Sequence, residues 1–113
     1  MKYAWDGLMY AISSQPNFRV HLFLSVLAIG MGLILRISIL EWIVIFMSIT
    51  LGLVIELVNT SIEETVDLVT KEYNIFAKRA KDTAAAAMFI YAVGSAVLGS
   101  LIFLPKIWIY ILG

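Results

Sequence analysis

Three long runs of apolar residues order this chain, separated by short clusters of polar and charged ones. The first, Val20 to Leu35, reads "VHLFLSVLAIGMGLIL" and is broken only by His21 and Ser25. A hydrocarbon layer of about 30 Å needs roughly 20 helical residues. With Arg19 and Arg36 snorkelling at its ends, this run predicts a slightly short span over 19–36. A brief turn, "RISILE", leads to the second run, Trp42 to Val58, in which Glu56 is the one charged residue. The third, Ala84 to Leu104, holds no charge and ends at Pro105. Ahead of them "YAWDGLMYAISSQPNF" alternates apolar and polar residues, as in an amphipathic helix lying on a membrane surface. The pattern therefore predicts an all-α membrane protein of one domain. Its elements are a surface helix over 1–17, spans over 19–36 and 83–104, a second span over 42–70 that includes an aqueous extension, and a loop over 71–82.

Composition agrees with that reading. Of 113 residues, 62% are hydrophobic and 14% charged, against a charged share of about 25% in soluble domains. A soluble chain this small could not hide so much apolar surface. Cysteine is absent, which excludes disulfides, thiolate metal sites and cysteine nucleophiles. The formal net charge is zero, so no overall attraction to nucleic acid is expected. Local charge is more informative. Lys2, Arg19, Lys71, Lys78, Arg79 and Lys81 fall at the N-terminal side or between the second and third spans, whereas Arg36 and Lys106 fall on the opposite side. By the positive-inside rule the N-terminus and the 71–82 loop are expected to face the cytoplasm, and nothing ahead of the first run resembles a cleavable signal.

The second span carries the candidate chemistry. At about 100° per residue, Glu56, Asn59, Glu63 and Asp67 share one helix face, while Glu64 lies at its margin and is assigned to solvent. An acid at membrane depth costs about 2.5–3.5 kcal/mol on insertion scales and reads by default as functional. Desolvation disfavours the charged form of a carboxyl, which suits Glu56 to accept a proton. Glu63, two turns nearer water, suits a hard cation such as Mg²⁺, and Asn59 between them can orient a carboxylate or a substrate hydroxyl. Lys78, Arg79 and Lys81, with Asp82 beside them, could hold a polyphosphate and stabilise a transferring phosphoryl group. A base inside the bilayer and a metal site just outside suit a reaction between a lipid's polar end and a water-soluble, metal-bound anion.

Other chemistries lack their parts. No glycine begins a G-x-x-x-x-G-K-[ST] loop, and "GMG" at 30–32 fails the G-x-G-x-x-G pattern and is assigned to packing. His21 is the sole histidine, which removes His-rich zinc sites and leaves it an interfacial or hydrogen-bonded residue. Ala92, Ala96 and Ser100 form a small-residue face that permits close helix approach. Because three spans alone shelter a buried acid poorly, self-association is expected.

The long pattern "ELVNTSIEETVDLVTKEY" followed by "AKRAKD", together with "YAWDGL" and "NFRVH", resembles the small bacterial integral-membrane diacylglycerol kinases, whose Gram-positive relatives phosphorylate undecaprenol. The resemblance covers nearly the whole chain. It implies a surface helix, three spans per chain, a homotrimer with shared sites, and transfer of the γ-phosphate of Mg·ATP to a lipid hydroxyl. By that resemblance Glu56 is the base on the lipid alcohol, Asn59 its polar support, and Glu63 a ligand to metal and ATP. Tyr3, Glu72, Tyr73, Asn74, Lys81 and Asp82 contact the nucleotide, and Trp5, Phe18 and Arg19 lie where the lipid meets the N-terminal helix. Two positions depart from the family pattern. Gln15 stands where a metal-ligating glutamate is common, so the metal site loses one negative charge, and Asn74 stands where histidine is frequent. Two other functions compete: a small proton-coupled transporter using Glu56, and a non-catalytic assembly subunit. "NTSIEETVDLVTKEY" looks more like the undecaprenol kinase branch.

Overall fold

A computed structural model describes residues 1–113 as four helices: α1 (Lys2–Ser14), α2 (Pro16–Leu35), α3 (Ile39–Val69) and α4 (Ile75–Leu112). The molecule measures 58 × 32 × 21 Å. The last three helices are long and apolar enough to cross a membrane. At about 1.5 Å per residue, the 31 residues of α3 and the 38 of α4 exceed the roughly 30 Å of a hydrocarbon layer. Both helices therefore extend beyond their apolar stretches, and the extension of α3 holds the polar face.

Local chemistry sets each boundary. Gln15 is extended (φ −112°, ψ 102°) and separates α1 from α2. The residue before a proline is driven out of the α region, and Pro16 sits at the first position of α2, where its missing N–H costs nothing. α2 stops at Arg36, whose φ of 53° is left-handed. The Arg36 and Ile37 N–H groups both close back onto the Gly32 carbonyl, a helix ending in which this conformation is usual. α3 then opens on a capping box: Glu41 N–H donates to Ser38 Oγ (3.2 Å) and Ser38 N–H to Glu41 Oε1 (2.9 Å). The helix that carries the second apolar run thus begins at Ile39, three residues before that run, because part of "RISILE" is a cap and not a turn.

Two further expectations are corrected. Residues 75–82, expected in a loop, form the first two turns of α4. Asn74 caps them, its Oδ1 accepting from the N–H groups of Phe76 (2.8 Å) and Ala77 (3.3 Å), and Lys78 pairs with Asp82 one turn on at 2.6 Å. The helix that carries the third apolar run does not end at Pro105: α4 continues through it to Leu112. Proline removes one ladder hydrogen bond, a loss tolerated in apolar helices where the freed groups are satisfied locally.

α3 packs along both α4 and α2, and α1 lies against α2 and α3. A small core of Ile37, Ile45, Ile102 and Phe103 closes the end of the bundle remote from α1. There Gly32 is required by close approach: a Cβ would stand 2.7 Å from Trp42 Cη2. Lys106 and Glu41 pair across α4 and α3 at 3.1 Å. Only 11 of the 113 residues are buried, and Phe23, Leu33, Phe46 and Leu101 are among the many large apolar side chains that face outward. Such a surface needs lipid or other protein against it.

Candidate functional site

The polar face of α3 turns inward at its base. Glu56 is 3% exposed, and Thr60, one turn on, is 7% exposed with its hydroxyl donating to the Glu56 carbonyl oxygen (3.0 Å). Spending that hydroxyl on its own backbone satisfies it inside the bundle. From α2, His21 brings Nε2 to 3.8 Å from Glu56 Oε2. Asn59 is half-buried, and its Oδ1 is enclosed without a hydrogen-bond partner in the chain. Leaving a buried acceptor unpaired costs about 1–3 kcal/mol, a cost proteins tolerate chiefly where the group has another task.

Toward the far end of α3 the face meets α4. Lys81 Nζ donates to Asp67 Oδ1 at 2.7 Å. Both groups lie beyond the apolar stretches, and their hydrogen bond holds Asp67 below the ordinary carboxylate range and Lys81 above the ordinary lysine range. The sequence places Lys81 with Asp82; the structure instead gives Asp82 to Lys78 and Lys81 to Asp67. A pocket of about 250 Å³ lies between the end of α3 and the start of α4, and it brings together Glu72, Tyr73, Asn74, Lys78, Lys81 and Asp82. Asn74 enters it with its carboxamide oxygen already used as a cap. Arg79 turns instead to the Phe76 ring, 5.8 Å from its centroid, a cation–π geometry.

The remaining candidates are spread along α1 and its junction with α2. Tyr3 and Trp5 are exposed on α1, as is Arg19 on α2. Phe18 is the most deeply packed large side chain in the molecule. Gln15 is half-buried at the junction, and Glu63, half-buried on α3, makes no ion pair within the chain. Nowhere do three or more His, Asp or Glu side chains cluster closely enough to hold a metal ion by themselves. That donor set still fits Mg²⁺, which binds through one or two carboxylates, phosphate oxygens and retained waters, not an all-protein cage.

Three relationships escape the sequence reading. Glu64, assigned there to solvent, accepts a 2.6 Å hydrogen bond from the Tyr10 hydroxyl of α1. His21 meets Glu56. Tyr91 of α4 spans the bundle, donating to the Ser48 carbonyl oxygen of α3 at 2.6 Å. The one available signal was His21 itself, an ionisable residue inside an apolar run just as Glu56 is.

Residues 2–103 match the family model described as prokaryotic diacylglycerol kinase. The chain is 40% identical over 105 residues to the undecaprenol kinase of Bacillus subtilis, covering 93% of this chain and 85% of that one. It is 36% identical to a diacylglycerol kinase of Synechocystis over 94% of this chain and 61% of the relative. It is 31% identical to the diacylglycerol kinase of Escherichia coli over 78% and 72% of the two chains. The chain belongs to the prokaryotic diacylglycerol kinase family.

Proposed function

We propose that this chain transfers the γ-phosphate of ATP to the hydroxyl of a membrane lipid alcohol, diacylglycerol or undecaprenol, with Glu56 as the base. The observation that carries the reading is Glu56 itself: a carboxyl almost wholly enclosed, at the foot of a polar face that climbs to a basic pocket. Glu56 takes the proton of the lipid hydroxyl. The alcohol oxygen bonds to the γ-phosphorus as the bond from that phosphorus to its bridging oxygen breaks, and ADP leaves with the electron pair. Asn59, with its enclosed carboxamide oxygen, hydrogen-bonds the alcohol or steadies the base. Lys81 and the neighbouring Glu72, Tyr73, Asn74 and Asp82 receive the nucleotide, whose negative charge a lysine can offset.

Glu63 and Gln15 would hold Mg²⁺, which when bound with the nucleotide supplies neutralisation of the charge on its phosphates. α1 lies on the cytoplasmic surface with Tyr3 facing the nucleotide, and Trp5, Phe18 and Arg19 border the lipid. Three copies of the chain assemble, covering outward apolar surface. The excess of basic residues puts the N-terminus and the α3–α4 connection in the cytoplasm.

The alcohol we propose as preferred is undecaprenol, since the match to the Bacillus subtilis undecaprenol kinase runs through most of both chains. Nothing in the comparisons favours a proton-coupled transporter, which would also leave the basic pocket unused. The test is a side-by-side assay in mixed micelles with Mg·ATP carrying a labelled γ-phosphate. Label should enter undecaprenol more readily than diacylglycerol. Equal or inverted preference would overturn the choice of alcohol, and label in neither lipid would overturn the kinase reading.

A further inference from the structure

The enclosure of Glu56 raises a physical difficulty. A carboxylate removed from water is costly unless a partner compensates it, and Glu56 donates to and accepts from no other side chain. The one basic group that reaches it is the His21 imidazole, 3.8 Å from its Oε2. That separation exceeds a hydrogen bond and still places the ring directly beside the carboxyl.

The His21 side chain meets both other long helices, at Glu56 of α3 and at Tyr91 of α4. The imidazole lies against the Tyr91 ring of α4, with centroids 5.7 Å apart and planes inclined at 32°. Tyr91 in turn is pinned to α3 by its 2.6 Å bond to the Ser48 carbonyl, and its hydroxyl occupies the space a side chain at Gly52 would fill. Gly52 lies one turn before Glu56 on the same helix. A missing side chain on α3 thus admits a tyrosine from α4, and that tyrosine backs a histidine from α2 toward the acid.

We infer that His21 is a positioning residue for Glu56, braced by Tyr91 in the notch at Gly52. This rests on the proposed role of Glu56 as base. The imidazole limits the carboxyl to one orientation, so the acid stays directed at the alcohol.

The test is a kinetic cycle on the full-length protein in lipid micelles, combining His21→Ala with Glu56→Asp, a change that keeps a carboxylate but withdraws it. His21→Ala should lower kcat by roughly 10- to 100-fold, the scale of a misplaced catalytic group, with KM for Mg·ATP essentially unchanged. His21→Gln, which keeps a polar side chain of similar reach beside Glu56, should recover part of that loss. On the Glu56→Asp background the same alanine change should cost little, because the two losses share one cause. Full additivity, or a loss expressed in KM alone, would overturn the role of His21 while leaving Glu56 as base. An unimpaired His21→Ala would do the same. A Glu56→Asp enzyme as active as wild type would instead overturn the base on which this inference rests.

Discussion

The Tyr10 hydroxyl donates to Glu64 Oε1 across 2.6 Å, joining α1 to α3 through two residues 54 positions apart. The bond sits on the exposed side of the molecule, where a hydroxyl could equally take water. Its value is in fixing where α1 lies on α3 more than in overall stability. Every role proposed for Tyr3 and Trp5 depends on that placement.

Replacing Tyr10 by Phe should therefore loosen α1 without unfolding the bundle. Amide exchange in residues 2–14 should speed up several-fold, while exchange in α3 and α4 stays as it was. The same bond predicts a pH effect. Its carboxylate acceptor raises the Tyr10 phenol above its ordinary value of 10.0. A folded-state value raised in this way means the contribution is complete below pH 10.0 and fades as the pH climbs through the raised value. α1 should hold at neutral pH and loosen only in strong alkali, and in Tyr10→Phe that alkaline change should be absent.

The Asp67–Lys81 pair makes a separable prediction. Lys81→Met removes a cation from the pocket between α3 and α4, and KM for Mg·ATP should rise on the order of tenfold, as for loss of one charge-assisted contact, with kcat reduced less. Asp67→Asn frees Lys81 from its partner and should leave nucleotide binding intact or slightly tighter. Titrating a nucleotide analogue into each variant distinguishes the two. Equal weakening in both would mean that the pair serves only to join the helices.

Gly52 should be intolerant of any side chain. Gly52→Ala places a methyl group where the Tyr91 hydroxyl lies, and overpacking of this kind costs about 1–3 kcal/mol. Activity should fall as Tyr91 and then His21 are displaced, and Tyr91→Phe should not recover the loss, because ring carbons of the aromatic side chain crowd the same space and the bond to Ser48 is gone. A Gly52→Ala enzyme with full stability and activity would contradict the bracing of His21.

The metal assignment can be tested through charge. Glu63→Gln should raise the Mg²⁺ concentration needed for half-maximal activity, whereas Gln15→Glu, which adds a carboxylate, should lower it. Chelation should stop lipid labelling in all three proteins, and restoring Mg²⁺ should return it. If Glu63→Gln left the Mg²⁺ dependence unmoved, the ligand would have to be sought elsewhere.

How much of this was legible in the sequence follows from the range of each interaction. The apolar runs located three spans, because hydropathy accumulates over many residues and needs no partner. Glu56 stood out for the same reason, as one charge among apolar neighbours. The 75–82 segment misled because its lysines and arginine resemble a solvated loop, while the features that make it helical, the Asn74 cap and the Lys78–Asp82 pair, are local and individually modest. Pro105 misled in the opposite way, since proline ends helices in water but is accommodated in an apolar bundle. The pairs Tyr10–Glu64, His21–Glu56 and Tyr91–Ser48 depend on how helices sit against one another, and no spacing within one helix encodes that.

The central claim is that an enclosed carboxyl at position 56 accepts the proton of the lipid hydroxyl. It is tested most directly by measuring phosphate transfer to lipid in Glu56→Gln, alongside binding of a nucleotide analogue to the same preparation. The variant should bind nucleotide as wild type does and lose transfer by at least roughly 100-fold, the lower range for a general base. Transfer at the wild-type rate, with nucleotide binding intact, would contradict the account.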